Sequence, residues 1–343
     1  MMRNRFLLLI CLLLFSAFID SEFIPFQSPK GWPAPLYDFS KNPLTKDKIA
    51  LGRSLFYDPN LSANGTISCA SCHSPYNSFA HTDHALSHGI NDRIGTRNAP
   101  PLMNLAWQKT FMWDGAIHHL DFQALAPLTN ENEMGSDFPL LISRMNSSNV
   151  YNKQFAAAFG DSTVTGERTL KAISQFLLTL VSCNSKYDSV QSNLAEFTAQ
   201  EYSGLQLFNQ HCNSCHTAPL FSSNRFANNG LKPDSILNDH GRSVISGNTS
   251  DDYQFDIPSL RNIEYTSPYM HDGRFKRLYQ VVQHYTSGIE SSTGLSQELK
   301  TPIHLTAEQK TDLIAFLLTL SDRRFIFNPE HSDPTIQKLS NNN

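Results

Sequence analysis

The chain has 343 residues, a hydrophobic content of 40% and a formal net charge of −4 at pH 7. This length accommodates two domains of ordinary size, each with its own core. Lysine and arginine are scattered singly, without the basic stripe that neutralises a phosphate backbone, so nucleic acid is not an expected partner.

The first residues have the pattern of a secretory signal. Arg3 and Arg5 form a positively charged start, and an apolar run over residues 6–18 follows. We therefore predict a signal peptide over residues 1–22 and a periplasmic location for the rest of the chain. The apolar run is short for a membrane span, so we expect no stable span. An uncleaved anchor, or a lipid attached at Cys11, is the alternative.

Two short motifs combine paired cysteines with an adjacent histidine. Both read Cys-x-x-Cys-His, and they comprise Cys69, Cys72 and His73 in one copy and Cys212, Cys215 and His216 in the other. In this motif the thiols add across the vinyl groups of haem, and the histidine becomes an axial ligand of the iron. A zinc site or a redox dithiol can use a lone Cys-x-x-Cys pair, but both copies here carry the histidine. The sequence therefore predicts two covalently bound haem c groups, with His73 and His216 as proximal iron ligands.

Apolar periodicity predicts helices and shows no convincing strand alternation. The predicted helices cover residues 46–57, 167–181, 198–208 and 306–320, the last opened by a Thr-x-x-Gln capping box. Long polar stretches over residues 74–101 and 218–258 lie between helices. Loops of this length are uncommon unless they wrap something, and the haems provide that core. We expect an all-α fold whose long loops wrap the haems.

An internal repeat divides the chain. Its pattern reads P-x-L-x-N, nine residues, D-G, four residues and L, starting at Pro100 and again at Pro258, a constant offset of 158. Each copy lies downstream of its own haem motif, and six matched positions without a gap are improbable by chance. We therefore predict two cytochrome c-like domains related by duplication. The N-terminal one covers residues 40–187 and the C-terminal one covers residues 198–325.

Further motifs resemble those of the bacterial di-haem cytochrome c peroxidase and MauG family over nearly the whole chain after the signal. They are the two haem motifs and residues 95–100 (GTRNAP), 111–115 (FMWDG), 133–135 (EMG), 258–262 (PSLRN) and 268–273 (PYMHDG). The resemblance implies that the N-terminal haem reacts with peroxide and that the C-terminal haem exchanges electrons.

The resemblance also implies a set of catalytic residues. Gln123, Pro127 and Glu133 would line the distal pocket of the first haem, with Glu133 moving a proton between the peroxide oxygens so that the O–O bond breaks. Trp113 would lie between the haems as an electron bridge, although a buried aromatic anchor is the ordinary interpretation of such a residue. Taken alone, Glu133 would be a solvated loop acid.

Three other residues match the family's interdomain calcium site. They are Asn98, Thr266 and Pro268, the latter two through their backbone carbonyls. Oxygen ligands with few carboxylates suit calcium. As isolated residues all three would be ordinary turn formers. The resemblance therefore implies calcium beside the two haems.

The first haem departs from part of the family. Members that need reductive activation place a removable histidine on this haem, shortly before the Arg-Asn pair. Counting back from Arg97 reaches Ile90 instead. The first haem would then be five-coordinate and always ready to bind peroxide, and His88, two residues earlier, is the alternative ligand.

The second haem departs from the usual peroxidase pattern, which has methionine fourteen residues after the histidine of the Tyr-x-His-x-Gly string. Counting from His271 reaches Tyr285, and MauG has tyrosine at this position. A phenolate ligand stabilises ferric iron and lowers the potential relative to methionine. His284 is adjacent and stays an alternative ligand.

Three functions follow from these features. The first is reduction of hydrogen peroxide to water, with electrons from a small periplasmic cytochrome or cupredoxin entering through the C-terminal haem. The second is a MauG-like bis-ferryl oxidase that modifies tryptophan or tyrosine of a partner protein. The third, a plain electron carrier, has no need of the acid Glu133. We expect the peroxidase function, and the resemblance leaves a homodimer open.

Overall fold

The computed structural model describes residues 22–292 and 294–335. The predicted signal segment therefore lies, except for its last residue, outside the described residues. The described part is mainly helical, with one antiparallel pair of two-residue strands, β1 (Phe226–Ala227) and β2 (Phe255–Asp256). Its α-helices are α1 (Lys46–Phe56), α2 (Cys69–Cys72), α3 (Leu120–Gln123), α4 (Leu125–Thr129), α5 (Phe138–Asn146), α6 (Asn149–Phe159), α7 (Gly166–Leu178), α8 (Lys186–Gln191), α9 (Ala199–His211), α10 (Ser243–Ser246), α11 (Leu278–Gln283), α12 (Ala307–Leu318) and α13 (Arg323–Ile326).

The four predicted helices are confirmed as α1, α7, α9 and α12. The predicted capping box is present at the start of α12, where the hydroxyl of Thr306 accepts from the Gln309 N–H and Gln309 Oε1 accepts from the Thr306 N–H. Such reciprocal bonds satisfy two backbone donors that a helix start leaves free. The all-α expectation needs one addition, the β1–β2 pair, whose strands are too short to show an alternating pattern.

Two helix crossings, α1 with α7 and α9 with α12, each have a glycine where the two helix backbones approach closely. A Cβ added to Gly52 of α1 would lie 1.8 Å from the carbonyl oxygen of Ala172 in α7. A Cβ added to Gly204 of α9 would lie 1.9 Å from the carbonyl oxygen of Asp312 in α12. Only glycine permits backbones to approach this closely. Each crossing therefore depends on one residue without a side chain.

The buried apolar residues form two clusters. The first surrounds the α1–α7 crossing and includes Leu55, Phe56 and Phe176, and the second surrounds the α9–α12 crossing and includes Phe208 and Phe316. Phe325 and Ile326 of α13 belong to the first cluster although they lie near the end of the described chain. The last helix therefore returns to the N-terminal core.

The two copies of the sequence repeat have matching backbone conformations. Asn104 and Asn262 both have φ of 57°, and each is followed by one 3₁₀ turn, Leu105–Trp107 or Ile263–Tyr265. Further on, an isolated bridge pairs residue 111 with 117 in one copy and residue 269 with 275 in the other. The left-handed region is unusual for residues other than glycine, and asparagine adopts it most readily. The repeated asparagine thus places each turn in the same conformation.

A buried ion pair fixes the second copy of the repeat against α8. Arg261 is completely buried, and its guanidinium donates to both carboxylate oxygens of Asp188 at 2.7 and 2.8 Å and to the carbonyl of Pro219 at 2.7 Å. Burial raises the pKa of Asp188, but the guanidinium outweighs it, so the pKa lies below its usual value. A bidentate pair of this kind holds the backbone in one orientation.

Candidate functional site

The first Cys-x-x-Cys-His motif forms one helical turn and its exit. Cys69 and Cys72 are the ends of α2, and His73 follows at its C-cap. His73 Nδ1 lies 2.7 Å from the carbonyl oxygen of Phe79, and a carbonyl can only accept, so Nδ1 carries the proton. Burial lowers the pKa of His73 to about 4, which keeps the imidazole neutral. Nε2 is therefore free to bind a metal.

The second motif has the same arrangement. It follows α9 directly, and His216 Nδ1 lies 3.1 Å from the carbonyl oxygens of both Phe221 and Pro258. Burial again lowers the pKa of the histidine, to about 4. Both histidines thus present an unprotonated Nε2 beside a pair of thiols.

The thiols differ from those of a reactive dithiol or a zinc site. The described cysteines are all free, and burial raises the pKa of Cys69 and of Cys212 to about 12. A redox dithiol needs a thiolate, which a raised pKa disfavours. Within the described ranges, no group of three or more His, Cys, Asp or Glu side chains is arranged to hold a bare metal ion. The donor set fits haem c attachment, which uses the sulfurs as thioethers.

Each motif opens on a large cavity. The first cavity, lined by Cys72 and His73, has an empty volume of about 1530 Å³ including its open mouth. The second, lined by Cys212, Cys215 and His216, has about 1590 Å³ on the same measure. Two cavities of similar size, each with thiol and imidazole donors on its wall, fit two large planar cofactors.

The first cavity contains the three residues expected on its distal side. Gln123, Pro127 and Glu133 all line it, together with Asn130. The Nδ2 of Asn130 donates to Glu133 Oε1 at 2.9 Å. Burial raises the pKa of Glu133, and the bond from Asn130 opposes this. The structure therefore brings a carboxyl group with a raised pKa to the cavity that holds His73.

His88, the alternative ligand of the first haem, does not line this cavity. Its described lining contains no imidazole apart from His73. The ring of His88 stacks on that of His84, with centroids 4.0 Å apart, and the backbone oxygen of His88 lies 3.4 Å from Cys72 Sγ. Ile90 is buried, and its N–H donates to the carbonyl of Glu133 at 2.8 Å. Ile90 therefore helps to hold Glu133 in place.

The second cavity distinguishes two adjacent residues. Tyr285 lines it, and burial raises the pKa of the phenol to about 12 while a hydrogen bond with Asn229 opposes the rise. The neighbouring His284 is buried outside the lining, with Nε2 3.0 Å from the carbonyl oxygen of Asn229. Both lie in the single π-helical turn His284–Gly288 that continues α11. Turns of this type are frequent at functional sites because they reorient one side chain within a helix.

Two other polar rings on the second cavity have partners of their own. The hydroxyl of Tyr269 donates to the carbonyl of Ile263 at 2.9 Å. The ring of His271 stacks on Phe255 with centroids 3.7 Å apart. Tyr285 is the other phenol that lines this cavity, together with the ring of His211.

The two cavities share a dividing wall. Its members line both cavities and are Asn98, Pro101, Trp113, Asp256, Pro258 and Ser259. Trp113 Nε1 donates to the carbonyl of Asn98 at 2.8 Å, and the Asp256 N–H donates to the carbonyl of Trp113 at 2.7 Å. Asp256 belongs to no recognisable motif, although it occupies the position of Asn98 in the second copy of the repeat.

The residues of the expected calcium site come together on the second cavity. Asn98, Thr266 and Pro268 all line it. Among the described residues, no donor reaches the carbonyl oxygens of Thr266 and Pro268, and Asn98 uses its Nδ2 to donate to Ala85 O at 3.0 Å. Three uncharged oxygens without donors suit a hard cation such as calcium.

Comparisons with known proteins agree with this arrangement. The family model of the di-haem cytochrome c peroxidases matches residues 46–196. The methylamine utilization protein MauG of Methylorubrum extorquens is 36% identical over 305 residues, covering 86% of this chain and 83% of that protein. The cytochrome c551 peroxidase of Nitrosomonas europaea is 34% identical over 284 residues, covering 81% of each. A solved MauG-like protein associated with microbial copper homeostasis matches with a TM-score of 0.82 and 33% identity, over 91% of this chain and 99% of that one.

These similarities place the chain among the di-haem proteins of the c type. More narrowly, the chain belongs to the di-haem cytochrome c peroxidase family, and it is an oxidoreductase. The family implies two c-type haems, hydrogen peroxide and a redox partner. Over the described ranges, no helix is long and apolar enough to cross a membrane.

Proposed function

We propose that the protein reduces hydrogen peroxide to water at the first cavity, with electrons that enter through the second cavity from a small periplasmic cytochrome or cupredoxin. The observation that carries this proposal is the difference between the two cavities. The first has the carboxyl Glu133 and no imidazole beyond His73 in its described lining, whereas the second has the phenol Tyr285. An open iron face suits reaction with peroxide, and a face closed by a protein ligand suits electron transfer.

The two thiol pairs and two histidines would hold the cofactors. Cys69 and Cys72 would form the thioether bonds of the first haem and Cys212 and Cys215 those of the second, with His73 and His216 as proximal ligands. Bound haem supplies a redox-active iron. The carbonyls on each Nδ1–H orient the imidazoles and raise their basicity as ligands. A ligand at Tyr285 would keep the second site six-coordinate.

Glu133 would carry the proton that the reaction moves. Reduction of one peroxide consumes two electrons and two protons and yields two waters. The carboxylate can accept the proton of one peroxide oxygen and return it to the other peroxide oxygen, which then leaves as water. Asn130 holds the carboxylate at 2.9 Å, and Gln123 and Pro127 complete the wall around it.

Trp113 would relay electrons between the cavities. It belongs to the wall that both cavities share, and its ring is held through Nε1 at Asn98. An indole can lose one electron to a strong oxidant and regain it from a donor.

Calcium, held by Asn98 Oδ1 and the carbonyls of Thr266 and Pro268, would tie the two copies of the repeat together on the second cavity.

The matching turns support an origin by duplication, with haem domains over residues 40–187 and 198–325. The conformations of Asn104 and Asn262 and the two glycine crossings repeat from one half to the other. The long loops supply lining residues to both cavities, as expected if they wrap the haems.

The positively charged start and apolar run of residues 1–22 support export to the periplasm.

A second candidate function is oxidation of tryptophan or tyrosine side chains of a partner protein. Tyr285 favours it, because a phenol on the second haem lowers its potential and so helps that site to give up electrons. The similarity to MauG and to a MauG-like protein is in line with it. This second function would use the same residues of the first cavity as the peroxidase function, but the electrons would come from the partner protein.

A turnover assay separates these functions. The haem-loaded protein is mixed with hydrogen peroxide and reduced cytochrome c, and both are followed. Oxidation of two cytochromes per peroxide supports the peroxidase. When a protein that co-purifies with this chain is added to the mixture, peroxide consumption that leaves the cytochrome reduced and oxidises tryptophan or tyrosine of the added protein, detected by mass spectrometry, supports the second function. Absence of peroxide consumption would refute both.

A further inference from the structure

Asp256 is the one ionisable residue of the dividing wall. The other five members are an asparagine, two prolines, a serine and Trp113. No described donor reaches the carboxylate oxygens of Asp256, and burial alone raises the pKa of this group to about 7. A buried carboxylate without a hydrogen-bond donor costs folding free energy, so a function is expected for Asp256.

Each copy of the repeat makes one hydrogen bond to Trp113 at the wall. On one side its Nε1 donates to Asn98 O, and the carbonyl of Pro100, two residues later, accepts a hydrogen bond from the imidazole of His73. On the other side its carbonyl accepts from Asp256 N, and the carbonyl of Pro258 two residues later lies 3.1 Å from His216 Nδ1. Asn98 and Asp256 are the same position of the repeat. The two copies therefore differ at this point by one negative charge.

The partner of the indole N–H decides the charge of an oxidised Trp113. When the indole gives one electron to the first haem, it becomes positive unless it also loses its proton. Nε1 is hydrogen-bonded to a backbone carbonyl, which is not a base that can take that proton. The positive charge therefore stays on the ring until an electron arrives from the second haem. In surroundings of low polarity, a carboxylate on the same wall is the group that favours this charge.

The other charged groups around the wall already have partners. The guanidinium of Arg97 donates to Asp239 at 2.6 and 2.8 Å and to Asp114 at 2.5 Å. It also lies 5.7 Å from the centre of the Phe255 ring. The positive charge of Arg97 is thus taken up by two carboxylates, and no described arginine or lysine pairs with the carboxylate of Asp256.

We propose that Asp256 is a positioning residue for charge on Trp113, whose carboxylate favours the oxidised indole and lowers the reduction potentials of the two haem sites that share the wall. This inference rests on the proposed electron path through Trp113. Asp256 itself exchanges neither an electron nor a proton. In that path Trp113 would lose one electron toward the first site and regain one from the second site, so that the indole is left unchanged.

The test compares three variants of the haem-loaded protein at about pH 8, where the carboxyl is largely ionised. Asp256→Asn keeps the shape and removes the charge, Asp256→Glu restores the charge, and Glu290→Gln removes one charge from an exposed position of the same half. Midpoint potentials of both haems are measured by spectroelectrochemical titration, and bound calcium by elemental analysis. Circular dichroism establishes that each variant is folded.

We expect both potentials to shift upward in Asp256→Asn, to return toward the original values in Asp256→Glu and to stay unchanged in Glu290→Gln. Potentials in Asp256→Asn equal to those of Glu290→Gln would overturn the proposal. Loss of calcium in Asp256→Asn would also overturn it, because Asp256 would then act as a cation ligand.

A double-variant cycle tests the link to Trp113. Asp256→Asn should slow peroxide turnover severalfold in the original protein and cause no further loss in Trp113→Phe. An equal slowing in both backgrounds would show that Asp256 does not act through Trp113. If the original protein consumes no peroxide, the proposed function fails, while the potential measurements still decide the role of Asp256.

Discussion

The amide of Asn130 donates to a carboxylate oxygen of Glu133 at 2.9 Å, and both residues line the cavity that contains His73. The backbone reinforces the pair, because the Glu133 N–H donates to the Asn130 carbonyl at 3.0 Å. A loop acid that would ordinarily rotate in solvent is thereby held in one position.

Replacement of Glu133 by glutamine should slow peroxide reduction roughly 100-fold to 10,000-fold, the usual contribution of a positioned acid–base group. The amide keeps the shape of the side chain and cannot transfer the proton. Steady-state kinetics with reduced cytochrome c measure the effect. The matched control is Glu131→Gln, two residues away, which removes an exposed carboxylate paired with Arg93. Equal losses in the two variants would remove Glu133 from the mechanism.

Replacement of Asn130 by alanine should move the acidic limb of the pH profile to higher pH. The hydrogen bond from Asn130 lowers the pKa of Glu133, whereas burial raises it. Loss of the bond raises the pKa further, so the carboxylate needed as base becomes protonated at a higher pH. Activity should therefore be lost earlier as the pH falls. Profiles of kcat/KM between about pH 4 and 8 test this, and an unmoved limb would contradict it.

The ligand at the second haem should be Tyr285. Tyr285→Phe should change the ferric spectrum of one haem and raise its potential, because the phenolate that stabilises ferric iron is removed. His284→Gln should leave that spectrum intact, since Nε2 of His284 lies beside the carbonyl of Asn229. Optical and electron-resonance spectra of both variants measure the effect. A change in His284→Gln alone would reverse the assignment.

The two glycine crossings should be intolerant of alanine. The added Cβ of Gly52→Ala or Gly204→Ala would meet a backbone oxygen within 2 Å, and overpacking of this kind costs about 1–3 kcal/mol or more. Denaturant unfolding of the haem-loaded protein measures the loss in free energy of unfolding. Gly294→Ala is the control, since its Cβ meets nothing closer than 3.4 Å. Wild-type stability in either crossing variant would show that the helices can separate at no cost.

Calcium content should depend on a side chain at one position and on the backbone at another. Asn98→Ala should lose the ion, because the amide oxygen is removed, whereas Thr266→Ala should retain it, because its carbonyl remains. Elemental analysis after dialysis against a weak chelator gives the content per chain. Equal retention in the two variants would exclude Asn98 as a ligand.

Local patterns were sufficient for much of this protein. The haem motifs are readable because the chemistry requires two thiols and a histidine within five consecutive residues. The helices α1, α7, α9 and α12 follow from apolar periodicity and, for α12, from a capping box whose partners lie three residues apart. The repeat at 158 residues likewise needs only comparison of the chain with itself.

Other features depend on contacts between distant parts of the chain. The orientation of Tyr285 toward the cavity and of His284 away from it is set by a π turn and by Asn229, which lies far away in sequence. Likewise, His88 stacks on His84 and leaves the first cavity without a second imidazole in its described lining. Spacing places such residues near an iron, but packing decides which of two neighbours faces it.

Trp113 and Asp256 also show the difference between what the sequence predicts and what tertiary contacts decide. The sequence by itself determined the covalent chemistry, the main helices and the repeated framework, because these depend on residues close together in the chain or on exact recurrence. Only the tertiary structure decided that Asp256 joins Trp113 in one wall between two cavities. The hydrogen bond and the burial that give Asp256 its importance arise when segments more than a hundred residues apart come into contact.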